Sequence, residues 1–371
     1  MYIPRFCPNK HCTKHTVNNQ SADWFYKFGT YLTESFGYVQ RFRCKDCLKT
    51  FSKQTFHLDY YAKKVLPYYT LMQQATSSMS IRALSRFHNC TTATILNKLE
   101  RLSHQAIALH NKLKTNIVLK EPLVADGFES FSVSQYFPNN ITLLAGKRSQ
   151  FIYHFNHITI RRKGRMTDKQ KKLKKVLYKQ ADFERKGIEK RFTELLGEII
   201  SLNKQEKHSK VMLYTDEKPD YERSIKHLAP DKLALTHIKV NSQKKRTKQN
   251  NLFAVNYLDR ELRKDLAEHR RETVCFGRNV CQSMNRLAVY MLYHNYFKPY
   301  RIKNDVSDMP THAEVAGVTS SLLLKEKTGL FEERYFLSHL EITNSMKTLW
   351  CKKLVTPLKV KTEKVPQYAL N

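Results

Sequence analysis

No uninterrupted run of about 18 apolar residues occurs in the chain, which excludes a helix that spans a bilayer. Glycine and proline are sparse, 10 and 11 in 371 residues, so linkers are not marked by composition. There is no internal repeat. The segment Met1 to Cys7 has no apolar h-region, and a secretory signal is not expected. Acidic residues are also short. Thirty-three Asp and Glu stand against 65 Lys and Arg, leaving a formal charge of +32. Such an excess repels itself unless a polyanion neutralises it, and an enzyme acting on small neutral substrates has no use for it. With a membrane span excluded, nucleic acid is the expected partner.

What is present is concentrated at the N-terminus. Of eight cysteines, four lie in the first 47 residues as two close pairs; Cys90, Cys275, Cys281 and Cys351 are scattered. A secreted disulfide scaffold would be small and cysteine-dense throughout. Paired cysteines at one end of a large basic chain point to a metal site in a reducing, cytoplasmic setting. Cys7 and Cys12 form a Cys-x4-Cys knuckle and Cys44 and Cys47 a Cys-x2-Cys knuckle, with 31 residues between them. Zinc takes four thiolates tetrahedrally, and each knuckle supplies half of that shell. Trp24, Phe25, Tyr26, Tyr31, Phe36 and Tyr38 alternate enough to build small strands between the knuckles, so residues 1–57 are expected to form a zinc ribbon. His11 and His15 are alternative ligands. Four thiolates leave no open position, so the site is expected to be structural.

Residues 58–115 read as helical and are expected to hold a helix-turn-helix. Ile81, Leu84 and Phe87 recur at helical spacing; Asn89 marks a turn, and Thr91 or Thr92 can cap a second helix. Ile95, Leu96, Leu99 and Leu102 give that helix one apolar face. Thr92, Thr94, Asn97, Lys98 and Arg101 are the groups expected to touch base edges and phosphates. An ordinary helical hairpin is the competing reading.

Residues 116–300 alternate strand and helix patterns. Strand candidates are 117–119, 123–125, 141–144, 151–160, 211–214 and 233–240, and helices are expected over 252–300. A Lys/Arg-rich insertion at about 161–205 ends in an amphipathic helix around Ile188, Phe192, Leu195, Leu196, Ile199 and Ile200. Residues 301–371 read as a loosely organised C-terminal extension. Asp126 ends the apolar run Leu123-Val124-Ala125, and Asp216 ends Val211 to Thr215. Adjacent strands in one sheet would bring these two together from 90 positions apart. Paired carboxylates on rigid strands can hold two divalent cations, and hard oxygen ligands select Mg2+ or Mn2+.

In this order the features resemble the insertion-sequence transposases with an N-terminal zinc ribbon, a helix-turn-helix and an RNase H-like, DDE-type catalytic core. The likeness covers roughly residues 5–300. Asp126-Gly-Phe-Glu-Ser-Phe131 resembles their first acidic motif and Tyr214-Thr215-Asp216 their second. Leu262-Arg263 through His269-Arg270-Arg271-Glu272 to Asn279 resembles their basic third motif. The resemblance implies an α/β fold with a mixed sheet and flanking helices, Asp126 and Asp216 as Mg2+ or Mn2+ ligands, DNA cleavage, and strand transfer into target DNA. It also implies a homodimer or larger assembly holding transposon ends in a bacterial, nucleoid-associated setting. The family's third ligand precedes a basic residue by seven positions, two helical turns. With Arg263 as that phosphate-contacting residue, the ligand position is Asn256, an uncharged amide; Asp259 and Glu261 are alternatives, and Glu268 and Glu272 fit the spacing less well. Arg161 to Lys175 and Lys244 to Lys248 would neutralise DNA phosphates. The alternative function is a non-catalytic DNA-binding regulator derived from a transposase.

Overall fold

The computed structural model describes residues 3–16, 22–203, 210–228, 233–301 and 309–359. Residues 204–205 of the basic insertion, and 302–308 and 360–371 of the C-terminal extension, lie outside the described residues.

The N-terminal unit is a three-stranded antiparallel sheet in the order β1-β2-β3: β1 Phe25–Thr33, β2 Gly37–Cys44 and β3 Thr50–Ser52. Register runs from Phe25 opposite Cys44 to Thr33 opposite Gly37. Gly37 closes the hairpin at φ +63°, a left-handed conformation that costs glycine little. A short helix, α1 Lys53–Phe56, follows. The unit has its own aromatic core, in which Trp24 stacks on Phe51 at 5.5 Å and Phe6, Phe42 and Phe56 are buried.

Three helices follow: α2 Tyr68–Ala75, α3 Ile81–Phe87 and α4 Thr92–Lys114. Ser80 caps α3 by accepting from the Ala83 amide at 3.2 Å, and Thr91 caps α4 by accepting from the Thr94 amide at 3.2 Å. Asn89 turns the chain between them at φ +45°. From Ser103 to Leu109 every residue of α4 is buried, so its second half is a core helix rather than a surface one.

The second sheet has five strands in the order β6-β5-β4-β7-β8. These are β4 Leu123–Phe131, β5 Pro138–Gly146, β6 Ile152–Thr159, β7 Val211–Thr215 and β8 Leu235–Lys239. β4, β5 and β6 pair antiparallel, while β4-β7 and β7-β8 are parallel. The fold is therefore mixed α/β. Between β6 and β7 lie α5 Asp168–Tyr178, which has no buried residue, and α6 Gly187–Asn203, which packs on β6 and β5. α7 Pro219–Lys226 joins β7 to β8. α8 Phe253–Asp265 packs across β4 and β5, and α9 Val280–Tyr296 packs on α4. One apolar core runs from Leu58 to Trp350, shared by the helical segment and the sheet.

Three expectations need correction. Residues 117–119 are no strand: Ile117 and Leu119 are buried in an irregular connection, so an apolar run reported burial without a ladder. β4 does not end at Asp126; it continues to Phe131 because β5 pairs with it as far as Pro138. The chain after 309 is well organised over its described residues. It forms α10 His312–Ala316, α11 Ser320–Lys327 and α12 Asn344–Trp350. The stretch between α11 and α12 ties the ribbon to the main core. The Leu58 amide donates to the Glu332 carbonyl at 2.6 Å, the Arg334 amide to the Phe56 carbonyl at 2.9 Å, and Phe336 enters the ribbon core. Trp350 stacks on His104 of α4 at 4.2 Å. No described helix is long and apolar enough to cross a membrane.

Candidate metal centre and acidic site

The two cysteine knuckles meet. Cys7 Sγ lies 3.5 Å from Cys47 Sγ, Cys12 Sγ lies 3.7 Å from Cys44 Sγ, and all four sulfurs are within 4.8 Å of one another. Four sulfurs about 2.3 Å from a common tetrahedral centre would stand about 3.8 Å apart, so the donor set fits a structural metal such as zinc. Thr13 Oγ1 donates to Asp46 at 2.6 Å and clamps one knuckle to the other. Burial pushes the Cys7 and Cys12 thiols up. Burial also acts on Cys47, but the Asn9 side chain, the Lys49 amide and the Cys7 and Cys12 thiols outweigh it and bring that group down to about 7, so a thiolate is available at neutral pH. His15 is not a ligand: its Nδ1 lies 2.6 Å from the Cys7 carbonyl and its Nε2 2.7 Å from Ser338 Oγ. His11 is exposed, outside the sulfur cluster.

The second constellation sits on the central parallel pair of the larger sheet. Leu123 is registered with Leu213 and Val124 with Tyr214. The pairing stops there, two residues short of Asp126 and Asp216, and the Asp216 charge still acts on Asp126. Asp126 Oδ1 accepts from the Gly127 amide at 2.6 Å, and Asp216 Oδ1 from the Lys218 amide at 3.1 Å. Burial and then the Asp216 charge push the Asp126 carboxyl up from 3.8 to about 6, against the Gly127 amide, Lys218 and Arg246. Asp259, on α8, is pushed to about 7 by burial and then by Asp126, opposed by Arg263 and Arg246. Its Oδ1 is buried with no hydrogen-bond partner. Asp126 thus stands between two other carboxylates, the Asp216 charge acting on it and its own acting on Asp259, and a cation or a proton would relieve that repulsion.

The other acidic candidates lie elsewhere. Glu261 is tied to Lys264 at 2.7 Å and Lys298 at 2.6 Å. Glu268 forms a buried pair with Arg286 at 2.8 Å. Glu272 is exposed. Asn256, at the seven-residue spacing, lies one turn before Asp259 and is half-buried. Arg263 sits 4.6 Å over the Phe128 ring and donates to the Glu129 carbonyl at 3.0 Å, which fixes its guanidinium beside β4. Arg246, on the exposed loop before α8, belongs to the charge run Lys244 to Lys248, and its charge acts on both Asp126 and Asp259.

Two of the five residues expected to read DNA turn inward. Lys98 is buried against Asp59, which also accepts from the Tyr68 hydroxyl at 2.8 Å. Arg101 is buried, donating to the Leu58 carbonyl at 2.7 Å, and lies 4.1 Å over the Tyr60 ring. Their charges stabilise the joint between the ribbon and the helices and present nothing to a groove. Thr92 and Asn97 remain exposed, and Thr94 is half-buried with its hydroxyl 3.0 Å from that of Thr91. The pairing was illegible because Asp59 lies outside the helix pattern. No protein-family model matches the chain, and no curated protein matches it.

Proposed function

We propose that the chain is a DNA transposase of the insertion-sequence type, with an RNase H-like core that cleaves DNA and transfers the strand. The observation that carries this reading is the crowding of Asp126, Asp216 and Asp259 on the central strands and on α8. Keeping the Asp126 and Asp259 carboxyls desolvated and beside like charge costs stability, as functional sites often do. The strand order, with three antiparallel strands followed by two parallel ones, supports the same core. Asp259 rather than Asn256 is the third acidic group of this reading.

Mg2+ or Mn2+ held by these three carboxylates would supply Lewis-acid activation of a phosphodiester and of the attacking hydroxyl. The chain's own residues do the rest. The Gly127 and Lys218 amides hold the Asp126 and Asp216 carboxylates, one on β4 and the other just past the end of β7. Arg263, held in place by Phe128 and the Glu129 carbonyl, and Arg246 are positioned to neutralise phosphate oxygens beside the acids. The four-cysteine unit, as a zinc ribbon, and the exposed end of α4 at Thr92 and Asn97 would hold DNA. The exposed basic helix α5 would add phosphate contacts without reading sequence.

Joining of a labelled duplex to plasmid DNA in Mg2+ tests the proposal. Asp126→Asn and Asp216→Asn are each expected to abolish joining while DNA is still retained in a mobility-shift assay. Joining that survives either change removes the catalytic assignment and leaves the non-catalytic DNA-binding regulator.

A further inference from the structure

A second concave feature lies away from the acids. Its room is about 530 Å3, within the range of about 300–1,000 Å3 that encloses small ligands. The start of α3, the first turns of α4, the segment 274–279 and the start of α9 surround it. Three properties restrict what it can take. Its walls are apolar at Ile81, Leu96 and Phe276. Its rim carries Arg82 and Arg278, both exposed and with no carboxylate partner among the described residues, while Glu268 is neutralised by Arg286. Finally, Gln282 Oε1 is a buried acceptor with no hydrogen-bond partner. An apolar slot with a free acceptor inside and cations outside matches an unpaired base with its exocyclic amino group and flanking phosphates. A paired base is stacked on both faces and has no free face to offer Phe276.

The slot is joined to the acidic strand. Ser132 bridges to Gly277, the Val133 amide donates to the Gly277 carbonyl at 2.8 Å, and Phe131 packs on Phe276 at 5.7 Å. From Asp126 to Ser132 an extended chain covers about 20 Å, roughly six base steps of B-form DNA. One DNA molecule can therefore reach both places. We propose that this groove receives one unstacked nucleotide of the DNA being processed. The base lies against Phe276 and Leu96 with an amino group donating to Gln282, and its phosphates meet Arg82 and Arg278. This rests on the DNA-processing reading above.

Cys275 gives a direct probe, because its exposed thiol lines the groove. The experiment uses the full chain and two short DNAs, a duplex with a single-stranded overhang and the matched blunt duplex. Affinity is read by fluorescence anisotropy, and alkylation of Cys275 by peptide mass spectrometry. The overhang is expected to bind about fivefold or more tighter than the blunt end, as base–aromatic stacking implies, and to slow Cys275 alkylation by a similar factor. Phe276→Ala and Gln282→Leu should each bring the affinity ratio toward one. If both DNAs bind alike and protect Cys275 alike, the nucleotide slot is wrong while DNA binding stands. If neither binds, the slot and the DNA reading fall together. The alkylation arm needs no variant, so a misfolded substitution leaves the test intact.

Discussion

Replacing Asp126 by Asn should make the metal-free protein more stable at alkaline pH, and the size of the gain follows from the site. In the folded chain the Asp126 carboxyl keeps its proton up to about pH 6, against 3.8 for the ordinary group. The folded state therefore binds more protons than the unfolded state between those values, so stability falls as pH rises through the window. A pKa difference of about 2, at about 1.36 kcal/mol each, gives on the order of 2–3 kcal/mol, the upper end trimmed because Asp126 is not sealed from solvent. Asn cannot ionise and escapes this loss. The gain of Asp126→Asn should be near its full size above about pH 7, shrink as pH falls through 6, and vanish below about pH 4. Urea unfolding in buffer free of added divalent cations, followed across that pH range, measures it. A variant less stable than wild type at pH 8, or a gain independent of pH, would refute the claim that burial and the Asp216 charge raise this carboxyl. Added Mg2+ should stabilise the wild type and not the variant, by mass action on the folded state.

Three further outcomes follow from the same contacts. Lys98→Ala leaves Asp59 buried without its cation and should cost about 3–5 kcal/mol in urea unfolding, while the salt dependence of DNA affinity stays unchanged because Lys98 meets no phosphate. Stripping the four-cysteine site with a thiol-selective chelator should loosen the ribbon, read as a loss of Trp24 near-ultraviolet dichroism, and Cys44→Ser should abolish stoichiometric zinc in elemental analysis; metal-free protein with an unchanged Trp24 signal would contradict the structural role. Gly127→Ala should impair DNA cleavage with little effect on DNA retention. A Cβ there would collide with Asn140 Nδ2 and stand 3.0 Å from the Tyr221 hydroxyl, displacing β4 beside Asp126; activity at the wild-type level would show that the Asn140 side chain yields and the strand stays in place.

Legibility followed the range of the interactions. The cysteine knuckles were readable because each ligand pair is local, and the spacing alone brings two thiols together. That Asp126 and Asp216 come near each other was readable because each follows a short apolar run, and the parallel pairing of β4 with β7 does the rest. For the third position the seven-residue spacing marks Asn256, with Asp259 and Glu261 as alternatives, and of these Asp259, one turn on, is the one on which the Asp126 charge acts. Periodicity marks a helical face but not which residue of that face meets a neighbouring strand. Lys98 and Arg101 failed for the converse reason, since a charge on a helix reads as exposed unless its partner is known, and Asp59 and the Leu58 carbonyl belong to a connection without pattern. The C-terminal strap was invisible for want of periodicity. It holds by a few backbone hydrogen bonds, by Phe336 in the ribbon core and by Trp350 on His104.

Nicking of supercoiled plasmid DNA in Mn2+ tests the central claim most directly, with Asp126→Asn, Asp216→Asn, Asp259→Asn and Asn256→Ala compared at equal DNA occupancy. Three carboxylates acting as one metal-holding unit predict that each aspartate variant loses about a hundredfold or more in rate while Asn256→Ala does not. Nicking by Asp259→Asn at the wild-type rate, or its loss in Asn256→Ala alone, would contradict the account.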